Sequence, residues 1–458
     1  MSGNIRLLYR FNADVEAVHR DGDRVTLDVK DWKPIGFTLP APAYADAIMA
    51  LHGAGTTFGK LIETAAATGD PAKADAAIRY YAERFSRGRL LAWRLADDDG
   101  ELARVDALAQ NYLPQQNALP EGDLQLCRFA YLRRLEAGAV LESGLVRARV
   151  TLGERGLAAL SQSLARTRPA ALDEFAATMW RLGFFSVAGA PEAETRRCWE
   201  FHDLLMHEAS RHNRDAATVG GTYRFDGKFP SLPARKPIPA GERIALPAID
   251  PARVRQASDS VDAVQARRRS VRSYAEAPIS LETLSEFLWR VCRTTAHIEN
   301  KRQDIISRPY PAGGSINELE FYLAVRRCGG LKPAVYHYDS HGHALISLAQ
   351  SDKVAAKIVD RSAAAMGLEP GAQQPDVTVV IASRFPRLSW KYEGMAYRAS
   401  LMNAGVLFEL MYLVATDMGL APCANGTGDS RLLQEATGLD AFEEVAIAEF
   451  ALGMPGAT

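Results

Sequence analysis

The chain has 458 residues, 47% hydrophobic and 24% charged, with a net charge of -1. That length allows about two to four domains, and the charge balance supplies no basic surface for nucleic acid or an anionic membrane. Five scattered cysteines (Cys127, Cys198, Cys292, Cys328, Cys423) form no CxxC pair and the nine histidines no HExxH, so neither a zinc site nor a disulfide framework is indicated. The start, Met1 to Arg6, lacks the apolar run of a signal peptide, and a cytoplasmic location is expected.

Residues 5 to 29 alternate apolar and polar positions around the turn Asp21-Gly22 and read as β structure. Helices are predicted from Pro42 to Leu51, Thr57 to Ala66 and Pro71 to Phe85, the last with Asp70 before a first-turn proline. Leu90 to Leu95 is a short strand, and the acidic stretch Ala96 to Asp106 reads as surface. The order then repeats. Leu126 to Leu132 and Ala139 to Val150 are strand-like, Arg155 to Leu164 and Pro169 to Leu182 helical, and Phe184, Phe185 and Val187 a last strand. This weak repeat, with a period of roughly 110 residues, describes two small winged-helix-like units, 1–110 and 120–190. Their helices are not especially basic, which favours peptide binding at a sheet edge, or a scaffold, over DNA binding.

Residues 191–255 comprise a helix from Thr195 to His212 and then a proline-rich stretch from Phe229 to Arg253, read as a linker or strap. The last domain is expected over 256–458. It opens with Arg267-Arg268-Arg269-Ser270-Val271-Arg272-Ser273-Tyr274, a basic cluster with hydroxyls. Ser280 caps the next helix. Such a cluster is a solvated surface or a phosphate site, since guanidinium groups hold phosphate oxygens in pairs. No Walker loop and no GxGxxG motif is present. Next comes Arg308-Pro309-Tyr310-Pro311-Ala312-Gly313-Gly314-Ser315, whose glycines let backbone approach a flat ligand. Tyr336 to Leu348 reads as a hairpin, and Val377 to Ala382 as a mid-sheet strand. Trp390-Lys391-Tyr392 precedes a helix of about 23 residues from Ala396 to Met418, apolar nearly all round and expected to be buried on most sides. Asn403, Glu409, Thr416 and Asp417 interrupt it, which argues against a membrane span. The loop Asn425-Gly426-Thr427-Gly428 closes this stretch.

Three signatures in this order, Arg-Arg-Ser-x-Arg-x-Tyr, Arg-Pro-Tyr-Pro-x-Gly-Gly, and Trp-Lys-Tyr with its helix and glycine loop, resemble the nitroreductase-like flavin fold. More narrowly they resemble the SagB-type azoline dehydrogenases, over about residues 195 to 455. The front half resembles the leader-recognition-like domains of longer members. The resemblance implies an α+β chain: a C-terminal nitroreductase-like FMN fold, with a central mixed sheet flanked by helices and a long buried dimer helix, behind two small winged-helix-like units. It implies FMN, a homodimer with shared active sites, an azoline-bearing precursor peptide as substrate and a cyclodehydratase complex as partner. Arg268, Arg269, Ser270 and Arg272 are then expected to hold the FMN phosphate and ribityl chain. Gly313, Gly314 and Ser315 would line the isoalloxazine, and Gly426, Thr427 and Gly428 approach it from the other side. Asn317 receives no role, and Asn425 departs from the family's apolar residue.

Lys391 and Tyr392 match the family's Lys-Tyr motif. Oxidising a thiazoline or oxazoline to a thiazole or oxazole removes a proton and a hydride. The resemblance implies that FMN N5 would take the hydride and the protein the proton, with oxygen reoxidising the flavin. Free Tyr and Lys titrate at about 10 and about 10.4, so the pair must work together: Tyr392 as base and Lys391 as its activator, or the reverse. Neighbours on a helix diverge by about 100°, so both reach one substrate only if the helix does not run through them. Two other classes fit less of the chain: a nicotinamide-dependent nitro- or quinone reductase acting on small molecules, and a flavin-less scaffold of a peptide-maturation complex.

Overall fold

Alternation of apolar and polar residues builds the strands of the first half, and helices pack against them. The computed structural model describes residues 4–136, 138–164, 173–212, 220–349 and 351–456. They fall into two compact units, Met1–Asp215 and Ala216–Thr458.

In the first unit β1 (Arg6–Phe11) is followed by a meander of β2 (Val15–Asp21), β3 (Arg24–Val29) and β4 (Ile35–Thr38). Helices α1 (Pro42–Met49), α2 (Phe58–Ala65, after the two-residue β5, Thr56–Thr57) and α3 (Pro71–Arg87) come next. Asp70 caps α3 by accepting the Ala72 N–H at 2.9 Å, as its position before Pro71 predicts. Then come β6 (Leu91–Asp97), β7 (Gly100–Ala107), β8 (Leu124–Leu126), β9 (Ala130–Leu135), β10 (Gly138–Ser143) and β11 (Val146–Leu152). Helices α4 (Glu154–Ser163) and α5 (Asp173–Arg181), strand β12 (Phe185–Val187), and helices α6 (Glu194–Arg197) and α7 (Phe201–His212) complete the unit. Residues 165–172, including the expected start of a helix at Pro169, lie outside the described residues.

The two repeats are not separate. Their strands form one seven-stranded sheet in the order β5-β1-β6-β7-β11-β10-β9, joined where β7 pairs with β11 from Ala103↔Leu152 to Ala107↔Ala148. The acidic stretch expected to be surface is therefore largely strand. Leu102, Ala103 and Val105 are buried in it, while Glu101 pairs outward with Arg94 at 2.5 Å. The single helix expected from Thr195 is two, α6 and α7.

The second unit begins with the proline-rich stretch, which adds only β13 (Arg243–Ala245) to the main sheet. Helices α8 (Pro251–Ala257), α9 (Val261–Arg267) and α10 (Leu281–Cys292) follow, the last capped by Ser280 accepting from Thr283 N–H at 3.1 Å. The hairpin β14 (Ala296–Ile298) and β15 (Ile305–Ser307) stands apart. Strands β16 (Leu319–Val325), β17 (Ala334–Asp339) and β18 (Ala344–Ser347) make a meander. After them run α11 (Asp352–Ala365), β19 (Val377–Ser383), α12 (Phe385–Lys391), α13 (Ala396–Asp417), β20 (Cys423–Asn425), α14 (Ser430–Thr437) and β21 (Val445–Leu452). The sheet order is β13-β18-β17-β16-β19-β21-β20. All its pairs among the described residues are antiparallel, so the central sheet is not the mixed one expected.

One face of this sheet packs on α10 and α13 through Phe287, Phe321, Leu407, Met411 and Phe450, all fully buried. Each such side chain contributes about 1.5–3 kcal/mol of burial. The other face is covered by α11 and α14. By length and composition α13 is long and apolar enough to cross a membrane. In the fold its Ala399, Asn403, Ala404, Leu407, Met411 and Val414 line the core, and Leu401, Met402, Gly405 and Val406 form an exposed strip. The helix is thus buried on one side, not on most.

Candidate active site

Helix α12 ends at Lys391, and Tyr392 is already extended at φ -109 and ψ 142, four residues before α13 begins. The Lys-Tyr pair therefore sits in the break between two helices, where successive side chains are freed from helical divergence. Tyr392 bridges to Gly221, and Tyr223 N–H donates to the Lys391 carbonyl at 3.1 Å, which fixes the break. Both side chains turn to the same place. A Cβ on Gly314 would strike Lys391 Nζ and Tyr392 Oη together, and Lys391 Nζ donates to the Gly314 carbonyl at 3.3 Å.

The turn they face has left-handed residues at Gly314 (φ 59), Ser315 (φ 58) and Asn317 (φ 46). It is held by groups the sequence reading passed over. Asn403, on α13, accepts the Gly313 N–H at 3.0 Å and donates to both carboxylate oxygens of the fully buried Glu318, at 3.0 and 3.1 Å. A buried amide inside an apolar helix was the signal available. Arg387, on α12, is also fully buried. It donates to the carbonyls of Ile316 (3.1 Å), Leu232 (2.8 Å) and Asp304, tying the turn, the strap and the β14–β15 hairpin to one side chain. Burial first, and then the neighbouring Arg384, lowers its pKa to about 10, so it stays charged. Asn317, given no role, donates to the Ile306 carbonyl at 2.5 Å.

The remaining predicted residues gather elsewhere. Ser270 Oγ lies 2.7 Å from Tyr412 Oη, and Arg268 stacks its guanidinium 5.3 Å from the same ring. Tyr412 Oη also accepts the Ala424 N–H at 2.8 Å, which brings the basic cluster beside the strand leading into Gly426. Arg269 and Arg272 are exposed. Among the described residues Arg268, Arg269 and Arg272 have no carboxylate partner, whereas Arg267 pairs with Asp259 at 2.6 Å. Asn425 Oδ1 accepts from the Thr427 N–H (3.1 Å) and hydroxyl (2.8 Å), shaping the glycine loop. Gly428 lies against Glu449, and a Cβ there would come within 2.6 Å of its carboxylate. Burial, with Asp429 adding to it, raises the Glu449 carboxyl to about 7. A small cavity of about 180 Å³ opens between this loop and Tyr397.

The predicted residues thus form two groups on α13. Asn403 holds the Gly313–Ser315 turn with Lys391 and Tyr392, and Tyr412 holds Arg268, Ser270 and the Gly426 loop. Nine residues separate the two anchors, which is about two and a half turns, so they face opposite sides of the helix about 13 Å apart along it. The chain on its own does not bring Gly426–Gly428 across from Gly313–Ser315. Each group fits part of a flavin nucleotide: three unneutralised arginines suit a phosphate, and the side-chain-free backbone of Gly313 and Gly314 suits a flat ring.

Residues 266–454 match the Nitroreductase family model, and residues 124–216 match the model of the cyanobactin oxidase ThcOx. "Putative nitroreductase MJ1384" of Methanocaldococcus jannaschii is 27% identical over 160 residues, 35% of this chain and 75% of that protein. Among solved structures, a "putative nitroreductase" of Ralstonia eutropha JMP134 is 20% identical at a TM-score of 0.38, over 50% of this chain and 100% of that one. The Escherichia coli microcin synthetase McbBCD complex with truncated pro-MccB17 bound contains a chain 17% identical at a TM-score of 0.35, over 54% of this chain and 85% of that one. The C-terminal region is therefore nitroreductase-like within an α+β chain, and its match to that family supports an oxidoreductase.

Proposed function

We propose that the protein is an FMN-dependent dehydrogenase that oxidises thiazoline or oxazoline rings of a ribosomally made peptide to thiazoles or oxazoles. The observation that carries this reading is the convergence of Lys391 and Tyr392 on Gly314. A simple nitro- or quinone reductase delivers a hydride and has no use for a paired base at the ring face. Bound FMN would supply the acceptor for the hydride, and its reoxidation falls to oxygen. The chain's own part is the proton. Tyr392 Oη takes it from the azoline carbon, and Lys391 Nζ, set 5.3 Å from the Tyr392 ring, stabilises the phenolate character that makes Tyr392 a base. Arg268, Arg269, Ser270 and Arg272 would hold the phosphate, and the two glycine segments would leave room for the ring.

We propose a homodimer on the same layout. The exposed strip on α13, with Met402 61% and Val406 41% exposed, lies between the two groups of site residues. A second copy laid on it can set the Gly313–Ser315 turn of one chain opposite the Arg-Ser cluster and Gly426 loop of the other. The match of residues 124–216 to a cyanobactin oxidase model supports a peptide substrate. In this reading the first unit grips the peptide, a cyclodehydratase complex is the partner, and the reaction takes place in the cytoplasm.

The test is an anaerobic half-reaction. Purified flavoprotein is mixed with a thiazoline-bearing peptide and, separately, with NADPH, and the flavin absorbance is followed. Bleaching by the peptide with a two-hydrogen mass loss, abolished in Lys391→Ala and Tyr392→Phe, is the expected result. Bleaching by NADPH alone would move the assignment to a small-molecule reductase, and purification without flavin would leave the scaffold.

A further inference from the structure

The second unit holds a cavity of about 600 Å³, within the ~300–1,000 Å³ usual for ligand pockets. One wall is the strap from Asp226 to Pro233, the other is the β14–β15 turn from Asn300 to Asp304, and Trp390 forms part of the lining. Its walls are built. Gln303 Nε2 donates to Ser231 Oγ and to the Arg387 carbonyl, both at 2.7 Å. Arg387 itself holds the Leu232 and Asp304 carbonyls, and Trp390 Nε1 donates to the Phe229 carbonyl at 2.9 Å. Opposite walls are therefore fastened to the helix that ends in Lys391, so the cavity is formed before any ligand arrives.

One ring links its lining to Lys391. Tyr223 stacks edge-on to Trp390 with centroids 6.0 Å apart. The Arg302 guanidinium is 5.0 Å from its centroid and Lys391 Nζ 5.8 Å. Tyr223 sits at φ 50, a strained setting for a bulky side chain, and its N–H is spent on the Lys391 carbonyl. The ring thus contacts two residues that line the cavity, Trp390 and Arg302, and the candidate activator Lys391.

The charges along the cavity are unequal. Arg302 pairs with Asp226 at 3.1 Å, and Asp304 accepts the Asn300 N–H at 3.3 Å. Lys228 and Lys301, both exposed, have no carboxylate partner among the described residues. Phe229, 51% exposed and with its ring tilted against Phe225 at 4.6 Å, adds an apolar surface beside them. We propose that this cavity is a substrate subsite that receives the peptide segment flanking the reacting ring, and that it selects segments carrying Asp or Glu. The proposal rests on the peptide reading of the site and adds its sequence preference. Lys228 and Lys301 attract the carboxylates, Phe229 takes an apolar side chain, and the segment leads past Tyr223 to the Lys-Tyr pair.

The experiment measures fluorescence anisotropy of three fluorescein-labelled ten-residue Gly-Ser peptides, bearing three Glu, three Lys or no charge, against the full-length flavoprotein. The Glu peptide is expected to bind at least fivefold tighter than the neutral one at low salt, with the advantage shrinking in 0.3 M NaCl. The double variant Lys228→Glu/Lys301→Glu should reverse the preference toward the Lys peptide, and Lys228→Gln/Lys301→Gln should abolish it, both with flavin content and thermal midpoint unchanged. Equal binding of the three peptides would overturn the proposal. So would a Glu preference that survives both variants, or displacement of the Glu peptide by NADPH, which would assign the lysines to a dinucleotide phosphate. The peptides carry no azoline, so the outcomes separate. Oxidation of thiazoline peptides without any Glu preference removes the subsite alone, and Glu-selective binding without azoline oxidation removes the dehydrogenase alone.

Discussion

Gly314 shows how narrowly a single position is determined. Its left-handed backbone costs an alanine about 1–2 kcal/mol, and the added methyl would push Lys391 and Tyr392 apart. Gly314→Ala should therefore lower turnover by ~100-fold, the scale of a 1 Å misplacement, with flavin still bound; rapid-mixing kinetics beside a flavin-to-protein ratio would check it. Asn403 is equally constrained, because one amide satisfies both the Gly313 N–H and the Glu318 carboxylate. Asn403→Leu orphans both partners and should cost about 3 kcal/mol in urea unfolding. Asn403→Asp sets a second carboxylate against Glu318 and should lose more stability at pH 8 than at pH 5. Glu449 makes a pH prediction with a definite sign. Its folded pKa of about 7 stands above the ordinary 4.5, so the folded state holds its proton more tightly than the unfolded state does. Stability from this group is complete below pH 4.5 and declines as pH rises toward and through 7, by on the order of 3 kcal/mol. Glu449→Gln should flatten that decline in thermal melts across the range. Lys391 and Tyr392 were legible in the sequence because they stand together before a helix. Asn403 was visible only as an interruption, since its two partners lie 85 and 90 residues away.

At the scale of elements, the break between α12 and α13 is the decisive feature. Proline at the start of α12 and the Glu393-Gly394 step after Tyr392 bound the short helix, and those residues could be read directly. What tethers α12 could not. Arg387 reaches three carbonyls on three other segments, and no local pattern announces a buried arginine. Arg387→Met should cost on the order of 3 kcal/mol and open the strap near Lys228 to trypsin, observable as a new cleavage in native digestion before any global unfolding. The long apolar run of α13 was plain from its periodicity, but which side it buries depends on where the sheet lies. Strand β7 was missed because Glu101, Arg104 and Asp106 make it look like surface. Those charges are outward and paired, Arg104 with Asp106 at 3.1 Å, while Leu102 and Val105 face the core.

At the scale of the molecule, each unit has a hydrophobic core of its own. A fragment spanning residues 220–456 is expected to fold cooperatively and bind flavin, and to turn over a short azoline peptide while losing most of its advantage on the full-length precursor. Calorimetry and flavin absorbance would check the first half, and competition between the two substrates the second. Apart from β7, much of the element order of the first unit was legible, since hairpin, helix and strand repeat within it. The fusion of the two repeats was not, because strand pairing between distant segments leaves no local trace. That fusion has a further consequence. The halves before and after residues 108–123 are held by the five β7–β11 pairs, by Arg155 on Asp97, and by the Glu174 carboxylate accepting the Ile5 N–H at 2.7 Å. A protease cut in the connecting segment would leave two pieces that still travel as one particle in a native gel and part only in denaturant. By the same logic a chain can lend one half to a neighbour at high concentration, with no contact made that the monomer lacks.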